Sequence, residues 1–178
     1  MSSISISLNG ETSELLDQLI QMNNIDIRGT LNAIAEGLRT STVERFDNQT
    51  DPDGNRWKPS IRVRKNGGKT LTSTAALKTS IRAQSDDESA TVGTNMIYAA
   101  THQFGDKRTI KIPEKTIRAK NGKALRFVID GKVIYRRQVT VRAHDVHVDI
   151  PARPFLGLSR EDEDDINELL QAMMEEQK

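Results

Sequence analysis

The run LRFVIDGKVIYRR, residues 125–137, sets an Asp-Gly pair between two β-branched, apolar runs. Asp130-Gly131 in that setting is the strongest short-range hairpin signal, because a two-residue loop at positive φ matches the twist of paired strands. The pattern continues outward on both sides. From Thr109 to Ile150, Ile and Val alternate with Arg and Lys, so an extended β-arm is expected here, with residues 107–150 as its limits.

Charge singles out the same region. The 178 residues carry a formal net charge of only +1, yet the charge is segregated along the chain. Residues 1–55 hold 3 basic and 9 acidic side chains, residues 56–142 hold 20 and 6, and residues 143–178 hold 3 and 10. A basic middle between acidic ends suits contact between one copy and another, or with an acidic neighbour. It also suits nucleic acid, although two acidic flanks repel a phosphate backbone. Aromatic residues make up 4% of the chain, and near the basic segment only Phe127 and Tyr135 are available, too few for a base-stacking platform.

The hydrophobic fraction of 35% implies a small, mostly aliphatic core. With no cysteine, a disulfide framework, a thiolate metal site and a thiol nucleophile are excluded. MSSISISLNGE lacks the basic start and apolar run of a signal peptide, and no stretch approaches the length of a membrane span. A soluble chain made inside the cell, with no membrane partner, is the expectation.

Before the arm, Ile4, Ile6 and Leu8 alternate with polar residues and suggest a short strand or ordered arm. Thr12 or Ser13 can cap a helix with Leu15, Leu16, Leu19 and Ile20 on one face, ended by NNIDIRG. A longer helix is expected from Thr30, with Leu31, Ile34, Ala35, Leu38, Thr42 and Phe46 at three-and-four spacing. IRVRKNGGK reads as a basic segment with a flexible turn at Asn66-Gly67-Gly68. A short helix around Ser73 to Ser80 buries Leu77, and SIRAQSDDESATVGT reads as a hairpin with an acidic tip. NMIYAATHQFG puts Ile97, Ala100 and Phe104 on one helical stripe that stops at Gly105. After the arm, Ser159 caps a last helix with Asp162 at its third position, and Ile166, Leu169, Leu170, Met173 and Met174 form its apolar face.

DPDGNRWKPS, residues 51–60, offers Asp51, Asp53 and Asn55 at the spacing of a calcium loop. Such a loop needs glycine at its sixth position and a bidentate glutamate at its twelfth. Here Gly54 is fourth and Arg62 twelfth, so the stretch is a tight turn instead: Pro52 fixes φ and Gly54 takes the positive-φ place. The turn brings the single tryptophan, Trp57, back onto the end of the Phe46 helix. His144 and His147 lie three apart, on opposite faces of a strand, so a shared metal is disfavoured; they and His102 read as ordinary loop or strand histidines. No Gly-x-Ser-x-Gly elbow occurs, and NGGK lacks the glycine spacing of a phosphate loop. The sequence gives no catalytic residue, no metal ligand set and no cofactor site, and the expectation is a protein that is not an enzyme.

Read in order, RFDNQTDPDGNRWKPS, GGKTLTSTAALKTSI, VGTNMIYAATHQFG and IPARPFLGLSREDEDDI resemble the phage virion morphogenesis, or tail completion, family of Mu-like and related contractile-tailed bacteriophages. The resemblance runs from about Leu31 to the C-terminus, minus the arm, since the stretch between HQFG and IPARPF is longer and more basic than a minimal member needs. On the matched blocks the family residues are Phe46, Asp51, Pro52, Asp53, Gly54 and Trp57, then Leu77, then His102, Phe104 and Gly105, then Pro151, Arg153, Pro154 and Phe155. Trp57, Phe104 and Phe155 read as core.

The resemblance implies an α+β fold, a small and mainly antiparallel sheet flanked by helices, here with an extended β-hairpin arm inserted in one tail-completion domain spanning 1–178. It implies a structural virion protein at the head-proximal end of the tail or the neck, needed for tail maturation and head–tail joining. Its partners would be further copies in a ring, commonly a hexamer, with tail tube, sheath or neck and connector proteins, and DNA in the ring lumen. The residues expected to face partners are Arg62, Arg64, Lys65 and Lys69, and on the arm Lys115, Arg118, Lys120, Lys123, Arg136, Arg137 and Arg142. Two alternatives stand beside this reading: a nucleic-acid-binding module using the basic middle, and a transient capsid-assembly factor.

Overall fold

The computed structural model describes residues 26–120 and 123–175, together with Glu14 and Gln18. The expected strand through Ile4, Ile6 and Leu8 and the helix face of Leu15, Leu16, Leu19 and Ile20 lie outside the described residues.

The long helix α1, Ile27–Asn48, organises the first of two compact units, residues 1–105 with 151–178. It starts three residues before the sequence pattern suggests, because Asp26 caps it by accepting from the Gly29 amide at 2.9 Å. At its far end Gln49 turns left-handed (φ 62°), and its side-chain amide binds the Phe46 carbonyl and both backbone groups of Thr70. Leu31, Ile34, Ala35 and Phe46 form the buried stripe.

After α1 the chain forms the expected turn. Asp51 accepts from the Asn55 amide at 2.8 Å, and Gly54 sits at φ 81°. Two short helices follow, α2 at Ile61–Asn66 and α3 at Ala76–Thr79. The turn expected at Asn66-Gly67-Gly68 forms, with Gly67 at φ 74° and Gly68 at φ 87°, and the helix before it, α2, is an addition to the sequence reading. Ser60 caps it through the Val63 amide, and a helix of six residues is too short to display a period. Strands β1, Arg82–Ser85, and β2, Ala90–Gly93, pair antiparallel as the expected hairpin, with Asp86 accepting from the amides of Glu88 and Ser89 at its tip. Helix α4, Ala99–Phe104, ends at Gly105 (φ 79°).

One expectation fails on α4. Phe104 is not core: it is 68% exposed, and Ile97 is 93% exposed. The buried face is Ala99 and Gln103. The reason is polar. The Gln103 side chain accepts from the amides of Phe155 and Leu156 at 3.0 and 3.1 Å and donates to the Leu156 carbonyl at 2.8 Å. A buried extended segment with no strand partner must have its backbone groups satisfied, and this side chain does so.

The core gathers around that segment. Phe46, Trp57, Leu77, Ile81, Val92, Ala99, Phe155 and Leu156 form one cluster. Phe46 meets Trp57 edge-on at 5.4 Å between ring centroids and Phe155 at 5.3 Å. The Trp57 indole N–H donates to the Pro154 carbonyl at 2.9 Å. Gly157 lies so close to Pro52 that a Cβ there would come within 2.6 Å of the proline ring. The last helix, α5, Arg160–Glu175, seats Ile166 and Leu170 against Ile34 in a second cluster. Its capping box is complete: the Asp162 amide donates to Ser159 Oγ at 3.1 Å, and the Ser159 amide donates to the Asp162 carboxylate at 2.7 Å.

The second unit, Asp106–Ile150, is one antiparallel ribbon in three stages. β3, Asp106–Ile112, pairs with β8, His144–Ile150; β4, Lys115–Arg118, with β7, Gln138–Val141; and β5, Leu125–Ile129, with β6, Lys132–Arg136. Asp130 (φ 49°) and Gly131 (φ 75°) make the two-residue loop with both φ positive that the sequence demands. The fold is α+β, its antiparallel strands divided among four two-stranded ladders. No helix among the described residues is long and apolar enough to cross a membrane.

Arg45 ties the first unit together. Its guanidinium, 6% exposed, donates to the carbonyls of Phe155 (3.1 Å) and Gly157 (2.7 Å), to Ser41, and to the Asp162 carboxylate. Removing one partner of such a pair strands the other in a dry interior. Arg45→Met is therefore expected to lower the unfolding free energy by about 3–5 kcal/mol, read by urea denaturation. A loss under about 1 kcal/mol would mean that the pair behaves like an exposed one.

Candidate assembly interface

The residues carried on the sequence blocks divide cleanly once placed. Phe46, Trp57, Leu77 and Phe155 are core. Asp51, Pro52, Asp53 and Gly54 build the turn, with Asp53 exposed. Arg153 is buried, its Nε donating to the Lys58 carbonyl at 2.8 Å and its amide to the His102 carbonyl at 2.7 Å. Pro151 and Pro154 flank it, half-buried. These residues hold the segment after the arm in place, and Phe104 is the one among them that faces solvent as a large apolar group. Arg45, Gln49 and Gln103 were not legible as structural residues. The available signal was an arginine set on the apolar stripe of α1, three residues after Thr42.

The basic residues of α2 and its turn have unequal roles. Arg62 donates to the carbonyls of Gly67 and Lys69 and so fixes the turn, and Lys69 lies 3.6 Å from Asp47. Arg64 and Lys65 are exposed. Asp47 also takes a two-oxygen contact from Lys78 at 2.8 and 2.7 Å, which holds its carboxyl below the usual range.

The arm carries its chemistry by face. In an antiparallel ladder, directly opposed residues share a face and neighbours alternate. Along β3 and β8, Ile110 and Ile112 meet Val146 and His144, with Arg108 opposite Val148, on one face. The other face is polar: Lys107 lies 3.9 Å from Asp149, Thr109 is bonded to His147 Nδ1 at 2.9 Å, and Lys111 stands opposite Asp145. His144 and His147 thus stand on opposite faces. At the tip, Arg126, Val128, Val133 and Tyr135 share one face, with Val128 57% and Tyr135 63% exposed. Lys115, Arg118, Lys120, Lys123, Arg136, Arg137 and Arg142 are all exposed along the ribbon. An isolated two-stranded ribbon is marginal in water, and exposed apolar side chains on this one mark a surface suited to a partner.

On the first unit, α1 and α5 flank an open groove of about 400 Å³. Ile34, Leu38, Ile166 and Leu169 line its floor, and Glu44, Glu161 and Asp165 stand exposed on its rim. Among the described residues no group of three or more His, Asp or Glu side chains could hold a metal ion. The surfaces that stand out among the described residues are an acidic groove and a basic ribbon.

His102 supplies the pH dependence. Its Nδ1 is buried without a hydrogen-bond partner, and its ring stacks edge-on against Tyr98 at 5.9 Å. Burial, then the nearby Arg153 cation, lowers its pKa from 6.5. The unfolded chain thus binds the proton more readily than the fold, so His102 leaves stability intact above about pH 6.5 and erodes it as pH falls from there to the folded value. The carboxylates of Asp47 and Asp86, both held below their ordinary 3.8, act only at lower pH. Melting temperature is expected to fall from pH 7.5 to 5.5 in the wild type and less in His102→Gln. Parallel slopes in the two proteins would remove His102 from the account.

A family model described as the phage virion morphogenesis family matches residues 9–175. Comparison with curated proteins and with solved structures gives no match. With the match spanning nearly the whole chain, helices, arm and C-terminal segment together, the protein belongs to the phage virion morphogenesis family.

Proposed function

We propose that the protein is a non-enzymatic structural subunit that completes the head-proximal end of a phage tail, or the adjoining neck, as a closed ring. The observation that carries this reading, within a virion morphogenesis family, is the arm: a basic two-stranded ribbon that leaves Val128, Val133 and Tyr135 exposed on one face. Surface of that kind is stabilised by burial against another chain. A single chain that carries both a basic ribbon and an acidic helix suits a heterologous contact, and such contacts close into rings when the rotation permits. The neighbours in the particle would be tail tube, sheath or connector proteins, with DNA passing through the lumen.

Light scattering on the purified protein, with negative-stain images of the same sample, tests this. The expected result is a ring of roughly six copies, formed alone or on addition of tail tubes. A strict monomer at high concentration, with and without tail tubes, together with absence from purified virions, would overturn the reading.

A further inference from the structure

The groove between α1 and α5 and the tip of the arm are complementary in two independent respects. The first is charge. Helix α5 carries seven acidic residues and one basic one over residues 160–175, whereas the arm carries 12 basic and 5 acidic over residues 106–150. Asp162 is engaged by Arg45 and Ser159, but the rim carboxylates Glu44, Glu161 and Asp165 meet no cation in any ion pair among the described residues. The second is shape and polarity. The groove has an apolar floor beneath that acidic rim, and the tip has an apolar strip of Val128, Val133 and Tyr135 that shares its face with Arg126, with Arg137 directly after the strand.

We infer that the tip of the arm, residues 125–136, docks into the α1–α5 groove of a second copy of this chain. The inference rests on the ring reading above and names its contact. An apolar strip fills an apolar floor, and the arginines meet the rim carboxylates at the edge, the usual arrangement of an apolar centre within a polar border. A nucleic acid would satisfy the arginines but leave Val128 and Val133 in water. A second copy explains both halves at once, because each chain then offers one arm and one groove. Passed head to tail from copy to copy, that contact closes a ring where the rotation permits.

The absence of cysteine gives a clean crosslinking test. Thr40 lines the groove and is exposed, and Val133 is exposed on the tip. Chains carrying only Thr40→Cys are mixed with differently tagged chains carrying only Val133→Cys and oxidised. The expected product is a mixed disulfide dimer, formed in excess over either like-with-like dimer. A crosslink confined within single chains of the double variant, or no excess of the mixed species, overturns the inference.

Charge exchange gives a second arm. Arg126→Glu with Arg137→Glu is expected to raise the dissociation midpoint of the oligomer about tenfold or more, as is Glu44→Lys with Asp165→Lys. Mixing the two reversed proteins is expected to restore assembly, which also shows that each one folds. Rings that persist through both reversals would overturn this contact while leaving the ring reading standing. A wild-type chain that forms no oligomer alone or on tail tubes would overturn the ring reading, and this contact with it.

Discussion

The buried guanidinium of Arg45 is the constraint on which the first unit depends. It sits on the apolar stripe of α1, and its donors reach the carbonyls of Phe155 and Gly157 and the carboxylate of Asp162. One side chain therefore joins the long helix, the extended segment after the arm and the start of α5. Burial lowers its pKa and Asp162 opposes that shift, yet a guanidinium retains its charge at any physiological pH. A buried ion pair need not add net stability, but it fixes register, because only one alignment of α5 places Asp162 within reach. Asp162 caps its own helix at the same time, so the position where α5 begins and the position where it docks are set together.

The segment from Pro151 to Ser159 is where this constraint meets the arm. It pairs with no strand among the described residues, yet Phe155 and Leu156 are buried. Gln103, Arg45 and Trp57 supply hydrogen bonds that a ladder would otherwise provide, and the Arg153 side chain ties the segment to the Lys58 carbonyl. The amide of Arg153 binds the His102 carbonyl, so the residues just before and just after the arm are joined at its root.

Much of this was legible where a local rule was sufficient. Asp130-Gly131 announced the hairpin, Ser159 with Asp162 announced the start of α5, and Pro52 with Gly54 announced the turn that returns Trp57 to Phe46. What stayed hidden depended on residues distant in sequence. Periodicity set Phe104 on a stripe with Ile97, but a six-residue helix does not reveal which side faces inward. The side chosen was the one carrying Gln103, because the backbone of residues 155 and 156 needed an amide more than the core needed another ring. Arg45 was invisible for the same reason. The six-residue helix α2 was missed because a turn and a half of basic residues has no apolar period to read. Of the assembly surfaces, the charge of the arm was plain, but the groove is a property of two helices separated by the whole chain between them.

The segregation of charge also bears on which contacts a ring excludes. Two grooves facing each other would bring acidic rims together, and two ribbons side by side would oppose their arginines. Like-charge juxtaposition at an interface costs several kcal/mol, so both symmetric pairings are disfavoured. Only the unlike pairing, ribbon to groove, brings opposite signs together. The proposed contact between copies needs that bias toward unlike surfaces. Keeping the net charge near zero while separating its signs along the sequence supplies it without any change to the core.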